Sequence, residues 1–267
     1  MYERHWGLYK SPFRTCLDPG LFYRSPTHEE AMARLHFLVE QRRRIGLLIG
    51  EAGSGKSLLL EVFADEMKLS GRSVAKISLV GLDDTDFLLQ VSAEIGLSSS
   101  LNSSVASLWR QLTDTITANR YQEIDTVLIF DDAEHANADV ATQLIRLSQY
   151  DMSPNSRFTM VFAGRKKMLE CLGGSILELA ELRIDVEALD QADTENYVKS
   201  MLGQAGRETT MFDERAITRL YELTHGVPRR ISQLADLALL AGAGRNVELI
   251  DANLIESAHD ELAVVEV

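Results

Sequence analysis

The chain has 267 residues, 45% of them hydrophobic and 25% charged, the balance of a globular protein with room for one large domain or a large and a small one. Its formal net charge of −13 counts against broad, nonspecific nucleic-acid binding, which needs basic surface. No stretch approaches the ~20 apolar residues of a membrane span, no signal-peptide layout opens the chain, and Cys16 and Cys171 stand in no metal spacing, so reduced thiols in a cytoplasmic protein are expected.

In chain order, residues 1–30 are aromatic and turn-rich, with Trp6, Tyr9, Phe13, Phe22 and Tyr23 among Pro12, Pro19 and Pro26. They are too apolar for a disordered tail and are expected to pack on the domain. His28 to Gln41 reads as a helix, followed by Arg42-Arg43-Arg44, which is read as a solvated helix end rather than a polyanion contact. Strand and helix then alternate: strand 45–49, helix 56–69, strand 73–79, helices 84–95 and 103–119, strand 125–130, helix 138–149, strand 157–163, helix 165–172, strand 182–186. Such alternation predicts an α/β fold with a parallel sheet covered by helices on both faces. Ser98-Ser99-Ser100 and Asn102-Ser103-Ser104 mark a polar connection. After Leu189 only helical patterns follow, at 194–205, 213–224, 228–241 and 251–259, with Asp213 and Asp251 as N-caps and Gly206 and Gly242 as terminators. The expected division is therefore 1–189, the aromatic segment with the α/β core, and 190–267, a small all-helical domain.

The chemistry concentrates at Gly50-Glu51-Ala52-Gly53-Ser54-Gly55-Lys56-Ser57, which fits G-x-x-x-x-G-K-[ST] between a predicted strand and a predicted helix that begins Lys56-Ser57-Leu58. Glycines let successive N–H groups turn inward onto phosphate oxygens, and the helix start adds its positive dipole end. Lys56 is the cation for the β- and γ-phosphates and the Ser57 hydroxyl a ligand of Mg²⁺, so the expected ligands are ATP, or another nucleoside triphosphate, and magnesium. The aromatic segment has the nucleotide base as one place to pack. Thr126-Val127-Leu128-Ile129-Phe130-Asp131-Asp132 is an apolar strand running into paired acids. Asp131 at its carboxyl end is expected to hold Mg²⁺, and Asp132 to orient the attacking water. Glu134 competes for the second role or caps the next helix.

Four segments together resemble the AAA+ ATPases of the general secretion pathway protein A (ExeA-like) group. They are the opening Met1-Tyr2, Trp6-Gly7-Leu8, Pro12-Phe13, Asp18-Pro19 and Phe22-Tyr23; the phosphate loop; Ile129-Phe130-Asp131-Asp132-Ala133-Glu134, similar to hydrophobic-D-E-A-Q; and Gly226-Val227-Pro228-Arg229-Arg230-Ile231, similar to G-x-P-R-x-I. The resemblance implies a P-loop AAA+ core with a helical lid. Arg229 becomes the sensor that reaches from the lid to the γ-phosphate, and Arg183 an arginine finger acting on a neighbouring subunit. It also implies a homo-oligomer formed on ATP binding, ATP hydrolysis at subunit interfaces, and a protein partner in a type II secretion or type IV pilus-like envelope machine.

Two positions depart from the group. Asp132 stands where it has Glu, a reach one methylene shorter, and misplacement of about 1 Å can slow a reaction about a hundredfold. Arg165 stands where the sensor 1 region usually has Gln. The chain also stops soon after the lid, so a direct cell-wall role is not expected. The other readings are a DNA-linked ATPase of the transposition or replication kind, against which the charge counts, and a nucleotide-gated scaffold with little hydrolysis, which Asp132 and Arg165 favour. A P-loop small-molecule kinase would have no need of the lid.

Overall fold

The computed structural model describes residues 2–14, 16–98, 103–207, 209 and 211–263. Part of the expected polar connection, residues 99–102, lies outside them. By contacts the chain forms two units. One comprises residues 28–52 and 56–186, and the other residues 1–27, 53–55 and 187–267.

The first is an α/β unit. Its helix α2 (Pro26–Glu40) leads into β1 (Ile45–Gly50), α3 (Lys56–Leu69), β2 (Ser73–Ser78), α4 (Asp84–Glu94), α5 (Val105–Tyr121), β3 (Thr126–Asp131), α6 (Ala138–Ser148), β4 (Phe158–Gly164), α7 (Met168–Leu177) and β5 (Leu182–Val186). The helix α1 (Tyr2–Trp6) belongs to the other unit. All strand pairs are parallel, in the order β2-β3-β4-β1-β5. β3 and β4 are buried along their whole length, which is why they read as continuous apolar runs. β5 lies at the sheet edge and alternates exposed and buried residues. Asp83, Ser104 and Asn137 cap α4, α5 and α6 by accepting the N–H of Asp86, Ser107 and Val140.

The order places β1 beside β4 rather than β2. The carboxyl ends of β1, β4 and β3 therefore stand side by side, with Ile49 opposite Gly164 and Ser78 of β2 opposite Asp131. Ligands of open parallel sheets bind at such an end.

Two arginines of the run make contacts within this unit. Arg43 pairs with Glu181 at 3.1 Å, and Arg44 donates to the carbonyls of Ser148 and Tyr150 at 2.6 and 3.0 Å.

The helical unit contains α8 (Gln191–Gln204), α9 (Glu214–Thr224), α10 (Pro228–Gly244) and α11 (Ala252–Ala263). Asp213 and Asp251 cap α9 and α11 as expected, accepting from Ala216 and Leu254. Gly206, at φ +94°, follows the end of α8. Gly242 does not terminate a helix. It lies inside α10, buried beneath the Trp6 indole, whose Nε1 donates to the Leu239 carbonyl at 2.8 Å. A Cβ on Gly242 would come within 2.8 Å of that ring.

The same packing corrects the expected place of the aromatic segment. Residues 1–27 group with the helical unit, not with the α/β core. Trp6, Leu8 and Phe13 are buried in the cluster formed by α8, α9, α10 and α11. Tyr23 meets Tyr197 of α8 edge to face at 5.6 Å. At about 25 cal/mol per Å² of apolar surface, these aromatics are among the largest single contributors to so small a core. Gly226, at φ +70°, completes this unit. Its carbonyl accepts the Leu189 N–H at 2.9 Å, and a Cβ there would lie 1.8 Å from the Leu189 carbonyl oxygen.

Candidate functional site

The phosphate loop joins β1 to α3. Gly53 and Gly55 adopt φ +82° and +96°, a region that L side chains rarely enter, so the loop's shape requires glycine at both. Lys56, the first residue of α3, is nearly buried, and its Nζ donates to the carbonyls of Gly50 and Glu51 at 2.8 and 2.9 Å. Burial pushes its ammonium down from the ordinary lysine value, while the charges of Asp131, Glu134, Asp132 and Glu51 pull the other way. A cation folded back on the loop carbonyls, with acids around it, is arranged to exchange those carbonyls for phosphate oxygens.

Asp131 ends β3 and is 5% exposed. Burial raises its carboxyl above the ordinary aspartate range; the Ser57 hydroxyl bond lowers it and the neighbouring Asp132 charge raises it. The carboxylate also accepts the Asp132 N–H at 2.9 Å. A hydroxyl and a buried carboxylate in contact fit the two protein ligands of a hydrated Mg²⁺ shared with phosphates.

Asp132 sits in the left-handed region, φ 54° and ψ 40°, at the start of a short 3-10 turn, Ala133–His135. That conformation turns its carboxylate onto the Ser78 hydroxyl of β2, at 2.8 Å. Ser78 was not legible as a site residue. The available signal was a polar residue ending an apolar strand.

Glu134 does not cap α6, which Asn137 caps, and is not free to act as a base. One of its carboxylate oxygens accepts the Arg165 N–H at 3.0 Å and the other the Arg165 Nε at 2.7 Å. Its side chain is 5% exposed. Burial alone would raise Glu134, but the Arg165 bonds outweigh it, and the group lies below the ordinary glutamate value. Arg165 follows β4, and α7 starts at Met168 rather than at 165 as expected.

The remaining predicted positions lie elsewhere. Arg183 faces outward on the edge strand β5 and is held by Asp185 in the same strand, Nη2 to Oδ1 at 2.7 Å. Arg229 is the second residue of α10, after Pro228. Its N–H donates to the carbonyl of Gly53, which groups with the helical unit, at 3.2 Å.

The AAA domain family matches residues 39–172, half of the chain and the stretch from the end of α2 into α7. The chain belongs to that family. It is an AAA+ ATPase similar to general secretion pathway protein A of Aeromonas hydrophila, with 26% identity over 249 residues, or 92% of this chain. It spans 45% of that relative's length. The AAA+ fold recurs in Cdc6p of Pyrobaculum aerophilum, with TM-score 0.74 and 14% identity over 92% of this chain and 70% of that one. ORC2 of Aeropyrum pernix gives 0.70 and 13% over 96% and 72%. The RuvB Holliday junction branch migration motor of Thermotoga maritima gives 0.56 and 14% over 95% and 74%. These likenesses establish the fold.

Proposed function

We propose that this AAA+ ATPase binds Mg²⁺-ATP at the carboxyl end of its sheet and hydrolyses it at subunit interfaces of a homo-oligomer. The cycle serves to switch or remodel a partner assembly in the cytoplasm, a type II secretion or type IV pilus-like apparatus. The observation that carries the reading is the buried Lys56 folded on the loop carbonyls, with the Ser57–Asp131 pair beside it.

Residues Gly50, Glu51, Ala52, Gly53, Ser54, Gly55 and Leu58 form the loop and helix start around the phosphates, and Lys56 supplies the charge. Ser57 and Asp131 hold Mg²⁺, which when bound draws electron density from the β- and γ-phosphates. Asp132 accepts the proton of the attacking water, with Ser78 fixing the direction of its carboxylate. Arg229 reports the γ-phosphate to the helical unit, and Arg183 of a neighbouring subunit completes the site once it leaves Asp185. The partner class follows from the likeness to general secretion pathway protein A.

A second reading, a nucleotide-gated scaffold with slow turnover, is favoured by the short Asp132. Nucleic acid is not part of the proposal, since the net charge is −13 and Arg43 and Arg44 are spent on internal contacts.

Calorimetry of Lys56→Ala tests the site. ATP affinity should fall at least tenfold, the loss of a charge-assisted contact of about 1.5–3 kcal/mol. An unchanged affinity would refute the phosphate loop. Sedimentation with a non-hydrolysable ATP analogue should show a larger species than the nucleotide-free protein. A monomer under every condition would remove Arg183 from the mechanism.

A further inference from the structure

Two arginines of the α/β unit differ from most of its others. Arg120, near the end of α5, is held by Asp151 at 2.6 Å, and Arg157, Arg165 and Arg183 are each paired with an acid. Arg110 of α5 and Arg146 of α6 have no acidic partner and no side-chain hydrogen bond among the described residues, in a chain that carries 40 acids. Both are exposed, and both line one groove with Val105, Ala106, Trp109 and Thr113. It encloses about 520 Å³.

The groove is held in shape from beneath. Trp109 is 3% exposed, and its Nε1 donates to Gln143 Oε1 of α6 at 2.6 Å, which ties the indole to the helix that carries Arg146. The Arg146 guanidinium lies over that ring, its carbon 4.0 Å from the centroid. A guanidinium held over an aromatic ring loses rotamer freedom before a ligand arrives, and its forked N–H donors match a carboxylate two at a time. The Thr113 hydroxyl is spent on the carbonyls of Trp109 and Arg110, so the donors left to a ligand are the two guanidinium groups.

We infer that this groove between α5 and α6 is a docking site for an acidic peptide segment of a protein partner. Its carboxylates pair with Arg110 and Arg146, and its apolar side chains rest on Val105 and Ala106. The choice of ligand follows from charge: two cations left open on a chain of net charge −13 complement carboxylates. A nucleic-acid backbone is the poorer fit, since it needs cations in a run, and the next charged residue along α5 is the exposed Asp114. The groove uses none of the residues of the proposed nucleotide site, so it stands or falls apart from that reading.

The test is fluorescence anisotropy with a fluorescein-labelled peptide of Glu and Leu, beside a control peptide in which Gln replaces Glu. The full chain should bind the Glu peptide at least about tenfold more tightly, as charge-assisted contacts require. Arg110→Gln and Arg146→Gln should each weaken binding by about fivefold or more, whereas Arg215→Gln, at an exposed position of α9, should leave it within about twofold. Arg146→Lys keeps the charge and loses the fork, so it should restore only part of the affinity. Thermal melts check that each variant is folded. Equal affinity for the two peptides, or none for either, overturns the inference. So does a folded Arg146→Gln with wild-type affinity. Equal losses in all three glutamine variants would mark net charge rather than a site and overturn it as well. Labelled single-stranded DNA that binds more tightly than the Glu peptide, with the same dependence on Arg146, would make the groove a nucleic-acid site and overturn the choice of partner.

Discussion

Asp131 and Glu134 share one short segment at the end of β3, and both carboxylates are withdrawn from solvent, yet they are held in opposite states. Asp131 has a hydroxyl and an amide for partners and, among the described residues, no cation bonded to it, so burial outweighs the more distant Lys76 charge and drives its proton affinity up. Glu134 has Arg165 on both oxygens, and its proton affinity is drawn down. The difference separates two purposes. A carboxylate whose cation comes from solution is left short of positive charge, and one whose cation comes from the chain is satisfied in advance. Asp132, between them, is half-buried and bonds the Ser78 hydroxyl, with no cation in hydrogen-bond contact among the described residues.

The largest effect should come at that middle residue. Asp132→Asn keeps a hydrogen bond to Ser78 but cannot accept the water's proton. Steady-state hydrolysis should fall by about a hundredfold or more, the usual contribution of a positioned base. Asp132→Glu, which restores the longer reach, should raise turnover by about tenfold, roughly 1.4 kcal/mol of barrier. Unchanged rates in both variants would move the base elsewhere.

Next is Gly164→Ala, whose Cβ would lie 2.2 Å from Glu134 Oε2 and crowds Glu134 out of its seat. The overpacking should cost about 1–3 kcal/mol in denaturant unfolding. It should also erase the contrast, since Glu134 would lose its cation. Full stability in this variant would mean that the seat is not as tight as its 2.2 Å approach indicates.

A smaller change of opposite sign is expected for Asp131→Asn. It removes a buried carboxylate that burial penalises, so the melting temperature of the nucleotide-free protein should rise, while the gain in ATP affinity from magnesium should be lost. A fall in melting temperature would show that the Ser57 and Asp132 hydrogen bonds outweigh burial.

The smallest effect is in pH. Asp131 is raised in the folded protein, so its cost to stability is present above its folded pKa and is relieved as pH falls through it. Glu134 is lowered, so its contribution is present above the ordinary glutamate value and is lost only as pH falls through a value below it. In melts across pH, the advantage of Asp131→Asn over wild type should shrink first on acidification. The deficit of Glu134→Gln should persist below the ordinary carboxylate range. Parallel curves for the two variants would contradict the contrast.

Much of this was written locally in the sequence. The strands of the core read as apolar runs, and their observed bounds differ from expectation by a residue or less. The phosphate loop and the acids after β3 have fixed spacing, because backbone geometry sets where the ligand lies relative to each strand end. What stayed hidden depends on residues distant in sequence. Nothing local to Trp6 announces that Gly242 is its seat, so Gly242 read as a terminator. Nothing local to Glu134 names Arg165: Glu134 read as a competing base or a helix cap and Arg165 as a departure in the sensor 1 region, rather than as a pair. The outward Arg183 reads the same in a finger and in a surface ion pair, since only a second subunit distinguishes them.

The helical unit draws its core from residues on both sides of the α/β unit in sequence, with Trp6 and Phe13 in one cluster with Leu254 and Ala258. During synthesis the α/β unit has all its strands once residue 186 has emerged. At ~5–20 residues per second the ribosome needs seconds more to deliver α11. For that interval Trp6 and Phe13 are held without their partners. The aromatic segment is thus made before the α/β unit and buried only after it, so its apolar side chains wait in the open while the sheet forms.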